Sequence, residues 1–579
     1  MRATIAVLAV SAIIIPTVSA TAYAASPAPA RAANSAAPAT KTVDISKAKV
    51  PTLAWKSCAG KDLKGLQCAT ALLPLDYSKP DGDKIEIHVA KKAASGKKKG
   101  AIFTNPGGPG ILASAQLNDF ASILGKKVGE EYDVIGMDPR GIHSATAAKC
   151  WSDQAAPQGE SVRFPITKEQ SHQRLTHDRF YRAACDKTAR PIIDHMSTAQ
   201  VARDMEMIRK ALGEKSLNYY GVSYGTYLGA TYAALFPSTV GRMITDGVVD
   251  PIAWSTGRGN EGETTPATAR IGSIEGSAET LKAAFAECKK AGPKACANAA
   301  TVDKEWDEIL ETLKKGPLTV GKETLTFDSF IGDVAATMYD ERGLRDVMSS
   351  IHSTWEAMQK KPVASGTTTS PKATTTSKPA APTSTATGSA QAKPVKEVAE
   401  ETKKRVMAKA PFGLPAADKP VAPGKPAPAK AAWSDAPGLN AVLCVDTKNP
   451  KDHKAWDKYS TPAELKRNPF AANWAWGSSV CAGWPGQDKN IYQGPFNVTP
   501  ANPLLVIGNT HDPSTPLSGA KALASVSPGA RLLTVDAFGH VGGNKSSCAA
   551  KAIETYLLAG KLPAEGTVCK ADSPLFPTK

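Results

Sequence analysis

Residues Leu217–Gly229 read LNYYGVSYGTYLG. An apolar, aromatic run leads into Gly221-Val222-Ser223-Tyr224-Gly225, and a helix-like stretch follows at once. A serine between two glycines at a strand-to-helix turn is the pattern of a strained elbow that holds its hydroxyl clear of the backbone. The pentapeptide is short enough to recur by chance as a Gly-rich turn. The segments around it must therefore supply the partners a serine nucleophile needs.

Those segments alternate between strand and helix patterns. AIFT (101–104), YDVIGM (132–137), LNYYGV (217–222), VGRMITD (240–246), LLVIG (504–508) and ARLLTVDAF (530–538) read as buried strands. STAQVARDMEMIRKALG (197–213), YGTYLGATYAALFP (224–237) and KSSCAAKAIETYLLAG (545–560) read as helices with cap or stop residues at their ends. Such alternation predicts a mostly parallel central sheet covered by helices on both faces. KIEIHVAKKA (84–93) alternates as a further strand, and the globular pattern is taken to begin there.

The chain has 579 residues, 42 % hydrophobic and 21 % charged, enough for a large core. Arg2 followed by TIAVLAVSAIIIPTVSA and Ala22-Tyr23-Ala24 predicts a secretory signal peptide over 1–24. An Ala/Pro/Ser-rich stretch at 25–45 reads as a disordered pro-segment. The core then spans 46–250 and 439–579, with a helical cap insertion at 251–438 whose low-complexity tract, 362–430, lacks the apolar residues needed to fold. No later stretch is apolar enough for a membrane span. The ten cysteines fall into successive couples, predicting disulfides 58–68, 150–185, 288–296, 444–481 and 548–569. The net charge of +16 is scattered or confined to low-complexity stretches, which excludes a nucleic-acid motif and suits a loose association with an anionic wall.

A serine hydroxyl needs a base within reach and an acid to orient that base. Of nine histidines, only His540 follows a late strand in a Gly-rich loop, DAFGHVGG. His88 falls within a strand, His143 and His195 fall in loops with no partner signal, and His172, His177, His352 and His453 fall in polar segments read as exposed. Asp512, in GNTHDPSTP, directly follows strand LLVIG; its neighbour His511 and the in-strand Asp536 are poorer choices. The oxyanion donors are expected from the N–H groups of Tyr224 and of Gly108, with Gly107 as the alternative, in NPGGPG (105–110). No metal site and no cofactor are implied: zinc-finger spacing, H-E-x-x-H and a P-loop are all missing from the sequence.

Together NPGGPG, YDVIGMDPRG, the block from ARDMEMIRKALG to ITDGVVDP, VCAGWP and LLVIGNTHDPSTP…FGH resemble the secreted tripeptidyl aminopeptidases of actinobacteria. That resemblance implies an α/β-hydrolase fold and an exported serine peptidase. It implies release of N-terminal tripeptides from peptides and proteins with a free amino end, with Ser223, Asp512 and His540 as nucleophile, acid and base. The chain departs from the family pattern at Ile111-Leu112 after the oxyanion turn and at Ile142-His143 after DPRG. Glu261, Glu263, Glu275 and Glu279 in the cap are weighed as ammonium partners and read as solvated surface acids. Two other functions fit the same residues. One is a secreted carboxylesterase, with Trp254 and other cap residues forming an acyl pocket. The other is a non-catalytic wall-binding protein on a retired scaffold, against which the complete triad argues.

Overall fold

The computed structural model describes residues 43–577 apart from 61–62, 144–145, 153–156, 158–161, 321–322 and 360–437, all within the unit Ala39–Lys579. The expected signal peptide, nearly all of the pro-segment and the whole 362–430 tract lie outside the described residues.

The strands are β1 (Lys56–Ser57), β2 (Gln67–Pro74), β3 (Lys84–Lys92), β4 (Gly100–Asn105), β5 (Tyr132–Met137), β6 (Leu217–Val222), β7 (Val240–Asp246), a separate hairpin β8 (Leu318–Val320) and β9 (Glu323–Leu325), then β10 (Leu505–His511), β11 (Arg531–Phe538) and β12 (Val568–Lys570). Ten of them form one sheet in the order β1-β2-β3-β5-β4-β6-β7-β10-β11-β12. From β5 to β12 every neighbour pair is parallel; β1, β2 and β3 add an antiparallel edge.

The central strands are buried almost throughout and mainly apolar because both faces are covered. Adjacent residues point to opposite sides: Phe103, Ile135, Tyr219, Met243 and Val506 join one core cluster, whereas Ile102, Val134, Tyr220, Ile244 and Leu505 join another. Helices Thr198–Ala211 and Tyr224–Leu235 contribute to the first cluster, and Leu117–Leu124 and Ser547–Ala559 to the second. Ser197 caps the helix at Thr198 by accepting the Gln200 N–H, as its sequence predicts.

The sheet begins earlier than Lys84. Strand β2, QCATALLP, pairs with β3 over its full length, yet its small Ala, Cys and Thr residues give little strand signal. A long helix at Lys168–Thr188 is also absent from the sequence-derived elements; it buries Ser171, Asp178, Tyr181, Ala184 and Cys185 rather than a stripe of large apolar residues. All five cysteine couples form disulfides as expected from the sequence.

Between β7 and β10 the chain leaves the sheet and builds helices, among them Ser273–Ala291, Val302–Lys315, Phe327–Thr337 and Glu341–Gln359. These pack around a cluster of their own, including Phe285, Trp306, Phe330 and Ile351, which Trp456, Phe470 and Trp476 complete from beyond residue 438.

Below the carboxyl end of β5 lies a fully buried ion pair. Arg140 donates to Asp204 through Nε (2.8 Å) and Nη2 (2.6 Å), and to the carbonyls of Pro74 and Leu75. Tyr77 donates its hydroxyl to the same carboxylate at 2.9 Å. This pair ties the turn after β5 to the helix before β6. Asp204→Asn would leave a buried guanidinium with only neutral acceptors, so a loss of about 3–5 kcal/mol is expected. Urea unfolding at neutral pH checks it, and a loss below about 1 kcal/mol would mean the carbonyls alone satisfy Arg140.

Candidate active site

β6 ends at Val222, and the next helix starts at Tyr224. Ser223 between them has φ 54° and ψ −129°, a conformation that side-chain-bearing residues rarely adopt. Its N–H donates to the Asp246 carbonyl at 3.0 Å, across to the end of β7. The flanking glycines have a different task from relaxing the turn. A Cβ on Gly221 would lie 2.4 Å from the Gly225 carbonyl oxygen, and one on Gly225 would lie 2.7 Å from that of Asn105. They admit close backbone contact, while the serine itself carries the strain.

Asp512 follows β10 and His540 follows β11. His540 Nδ1 is 2.9 Å from Asp512 Oδ2, and both side chains are buried. The Asp512 carboxylate also accepts the N–H groups of Ser514 (2.9 Å), Thr515 (2.8 Å) and Val541 (3.1 Å) and the Thr515 hydroxyl (3.0 Å). Burial pushes its pKa up, but the His540 ring and the N–H donors outweigh that and hold the group below the ordinary carboxylate range. It is therefore ionised at neutral pH and fixes which nitrogen of His540 faces it. The other nitrogen, Nε2, is buried and has no partner among the described residues. Val541, just after the histidine, has φ 71°. Among the described residues Ser223 and Val541 are the only non-glycine positions with positive φ, and both belong to this site.

The NPGGPG turn lies against the elbow. A Cβ on Gly107 would come within 2.9 Å of Ser223 Cβ and 3.0 Å of the Tyr224 nitrogen. The Gly107 N–H is already engaged by Asn105 Oδ1 at 2.9 Å. Among the described residues the Gly108 N–H makes no hydrogen bond, which favours Gly108 over Gly107 as a donor. Tyr224 is the first helical residue, so its N–H has no acceptor within its own helix.

Residues 100–270 match the family described as the alpha/beta hydrolase fold, and residues 466–569 match the TAP-like protein family. The tripeptidyl aminopeptidase of Streptomyces lividans is 29 % identical over 538 residues, covering 89 % of this chain and 86 % of that protein. The chain is a serine hydrolase of the α/β-hydrolase fold. Serine protease Hip1 of Mycobacterium tuberculosis is 34 % identical over 209 residues, which is 34 % of this chain and 40 % of that protein. Carboxylesterase B of the same species is 26 % identical over 552 residues, 90 % of each chain.

Several residues at the hydrolase's site escape the sequence reading. Thr515 Oγ1 lies 3.1 Å from His540 Nδ1 and donates to Asp512. Tyr339, between two cap helices, accepts the His540 N–H on its carbonyl at 2.9 Å and sets its ring against the imidazole with centroids 5.1 Å apart. The Tyr224 side chain is held by the Thr198 hydroxyl, which donates to Asp446 at 2.5 Å. Burial pushes the Asp446 carboxyl up to about 7. Trp254 is buried against Tyr224 and Tyr227, so it packs behind the elbow. Glu263, Glu275 and Glu279 are exposed, and Glu261 accepts the Arg258 N–H, so these acids are engaged elsewhere or solvated. Of the histidines read as exposed, only His172 is; His177, His352 and His453 are half-buried, and His352 meets the buried Glu305 at 2.9 Å.

The most consequential of the missed residues is Asp246. Its fully buried carboxylate accepts the Gly542 and Gly543 N–H groups (2.9 and 2.8 Å) and the Tyr220 hydroxyl (2.9 Å). Its signal was an acid at the end of a buried strand, VGRMITD. Asp246→Asn places an amide N–H₂ among three donors. We expect kcat to fall about 10–100-fold with KM nearly unchanged, roughly 1.4–2.7 kcal/mol at the barrier. Steady-state kinetics with a melting temperature checks this, and a change confined to melting would make Asp246 purely structural.

Proposed function

We propose that this hydrolase is an exported exopeptidase that removes tripeptides from substrates with a free amino end. The observation that carries the reading is the match to the tripeptidyl aminopeptidase of S. lividans over 89 % of this chain, which runs through the helical insertion as well as the sheet. In this reading neutral His540 takes the Ser223 proton as Oγ attacks the scissile carbonyl. Asp512 stabilises the imidazolium that forms. The N–H groups of Tyr224 and Gly108 receive the oxyanion, each worth roughly 2.7–4 kcal/mol in the transition state. The imidazolium then protonates the departing amine, and water activated by His540 hydrolyses the acyl-enzyme.

Export is supported by the leader-like N-terminal sequence and by five disulfides, which persist in oxidising compartments. Among the described residues no helix is long and apolar enough to cross a membrane. The cap at 251–438 is the part we assign to substrate selection, and the excess of lysines is what would hold the protein loosely to an anionic wall.

Carboxylesterase activity is the second reading, favoured by the full-length match to Carboxylesterase B. The two are separated with a tripeptide anilide, its N-acetylated form and a short-chain acyl ester, each against Ser223→Ala. The proposed function predicts cleavage of the free-amine peptide and at least about 100-fold lower kcat/KM on acetylation, roughly 2.7 kcal/mol for a lost ammonium contact. Ester turnover with both peptides untouched would replace the peptidase by the esterase.

A further inference from the structure

The sequence places His88 in a strand and His143 in a loop. The fold puts them in contact. Strand β3 pairs antiparallel with β5, and the Asp138 N–H closes the ladder on the His88 carbonyl at 3.0 Å. His88 Nδ1 is 2.9 Å from Asp138 Oδ2. The turn that leaves β5 then brings His143 back over His88, with the rings 4.5 Å apart and 15° from parallel. The ligand atoms of the three side chains all lie within 4.8 Å of one another.

We propose that His88, Asp138 and His143 form a binding site for a borderline divalent transition metal, of which Zn²⁺ is the representative, separate from the serine chemistry. Two imidazoles and a carboxylate are the donor set such ions favour over calcium or magnesium. Two donors each about 2.1 Å from one ion in a tetrahedral shell are about 3.4 Å apart. The His88–Asp138 pair, 2.9 Å apart as a hydrogen bond, has to open by about half an ångström to reach that spacing. The ion takes the place of the proton shared between them, which moves to Nε2 of a neutral His88 or leaves to solvent from a charged one. His143 turns out of the stack to supply the third donor, and water completes the shell.

The carboxylate is prepared for this task. Asp138 is buried and accepts the Ser114 N–H on Oδ1 and the Ser114 hydroxyl on Oδ2, both at 2.8 Å, an outer shell that orients a ligating oxygen. The turn is anchored by buried Arg140, and the Ala148 N–H donates to the Gly141 carbonyl at 2.9 Å. A plain ion pair would need only His88 and Asp138. A metal ion uses both rings.

The test is calorimetric titration of ZnCl₂ into the full-length, untagged, chelator-stripped protein, repeated with CaCl₂. One Zn²⁺ per chain is expected, with no saturable Ca²⁺ binding. His143→Ala and His143→Gln, at a half-buried turn position, should each weaken Zn²⁺ at least tenfold, as should His88→Ala. His540→Ala should leave binding unchanged. Far-UV dichroism and a melting curve establish that each variant is folded. Zn²⁺ affinity that survives both His143 substitutions, no saturable Zn²⁺ heat, or equal binding of Ca²⁺ would each overturn the proposal.

Discussion

Two separate loops must meet for this site to exist, and Asp246 is where they are joined. Its carbonyl takes the Ser223 N–H, and its carboxylate takes two N–H groups from the loop just beyond His540. Ser223 and His540 are thus referred to one residue at the end of one strand. Burial pushes the Asp246 pKa up against the pull of the glycine N–H groups, the Tyr220 hydroxyl and His540. A buried carboxyl costs stability unless its partners are well placed. Its three donors are all within 2.9 Å.

Around this joint the backbone is strained where function requires it and relieved elsewhere. Positive φ at Ser223 and Val541 costs on the order of 1–3 kcal/mol each. The surrounding contacts hold both positions. Val541 gives its N–H to Asp512, and Ser223 stands between Gly221 and Gly225, where the chain segments approach too closely for any side chain. The NPGGPG turn reaches the elbow because Gly107 lacks a Cβ.

The helical insertion is more than a lid laid over the sheet. Tyr339 holds the backbone and ring of His540, and the helix Gly438–Asp446 ends at a carboxyl that orders Thr198 and, through it, the Tyr224 side chain. The backbone of Gly438 and Leu439, at the start of that helix, also lies close against Gly110 of the NPGGPG turn. Changes in the insertion can therefore reach the reacting groups through direct contacts.

The strand-to-helix rhythm, the parallel sheet, the five cysteine couples and the residues Ser223, Asp512 and His540 are all legible along the chain. The rhythm and the sheet are announced by apolar periodicity, the couples by their order along the chain, and the three polar residues by their places just past buried strands. What stayed hidden depends on residues distant in sequence. Strand β2 carries only Leu72 and Leu73 as large apolar residues, Tyr339 meets His540 across about two hundred residues of chain, and His88 meets His143 only because the antiparallel strand β3 lies beside β5. Periodicity reports which face of an element is buried. Which atoms then touch is decided by packing, and packing belongs to the tertiary structure.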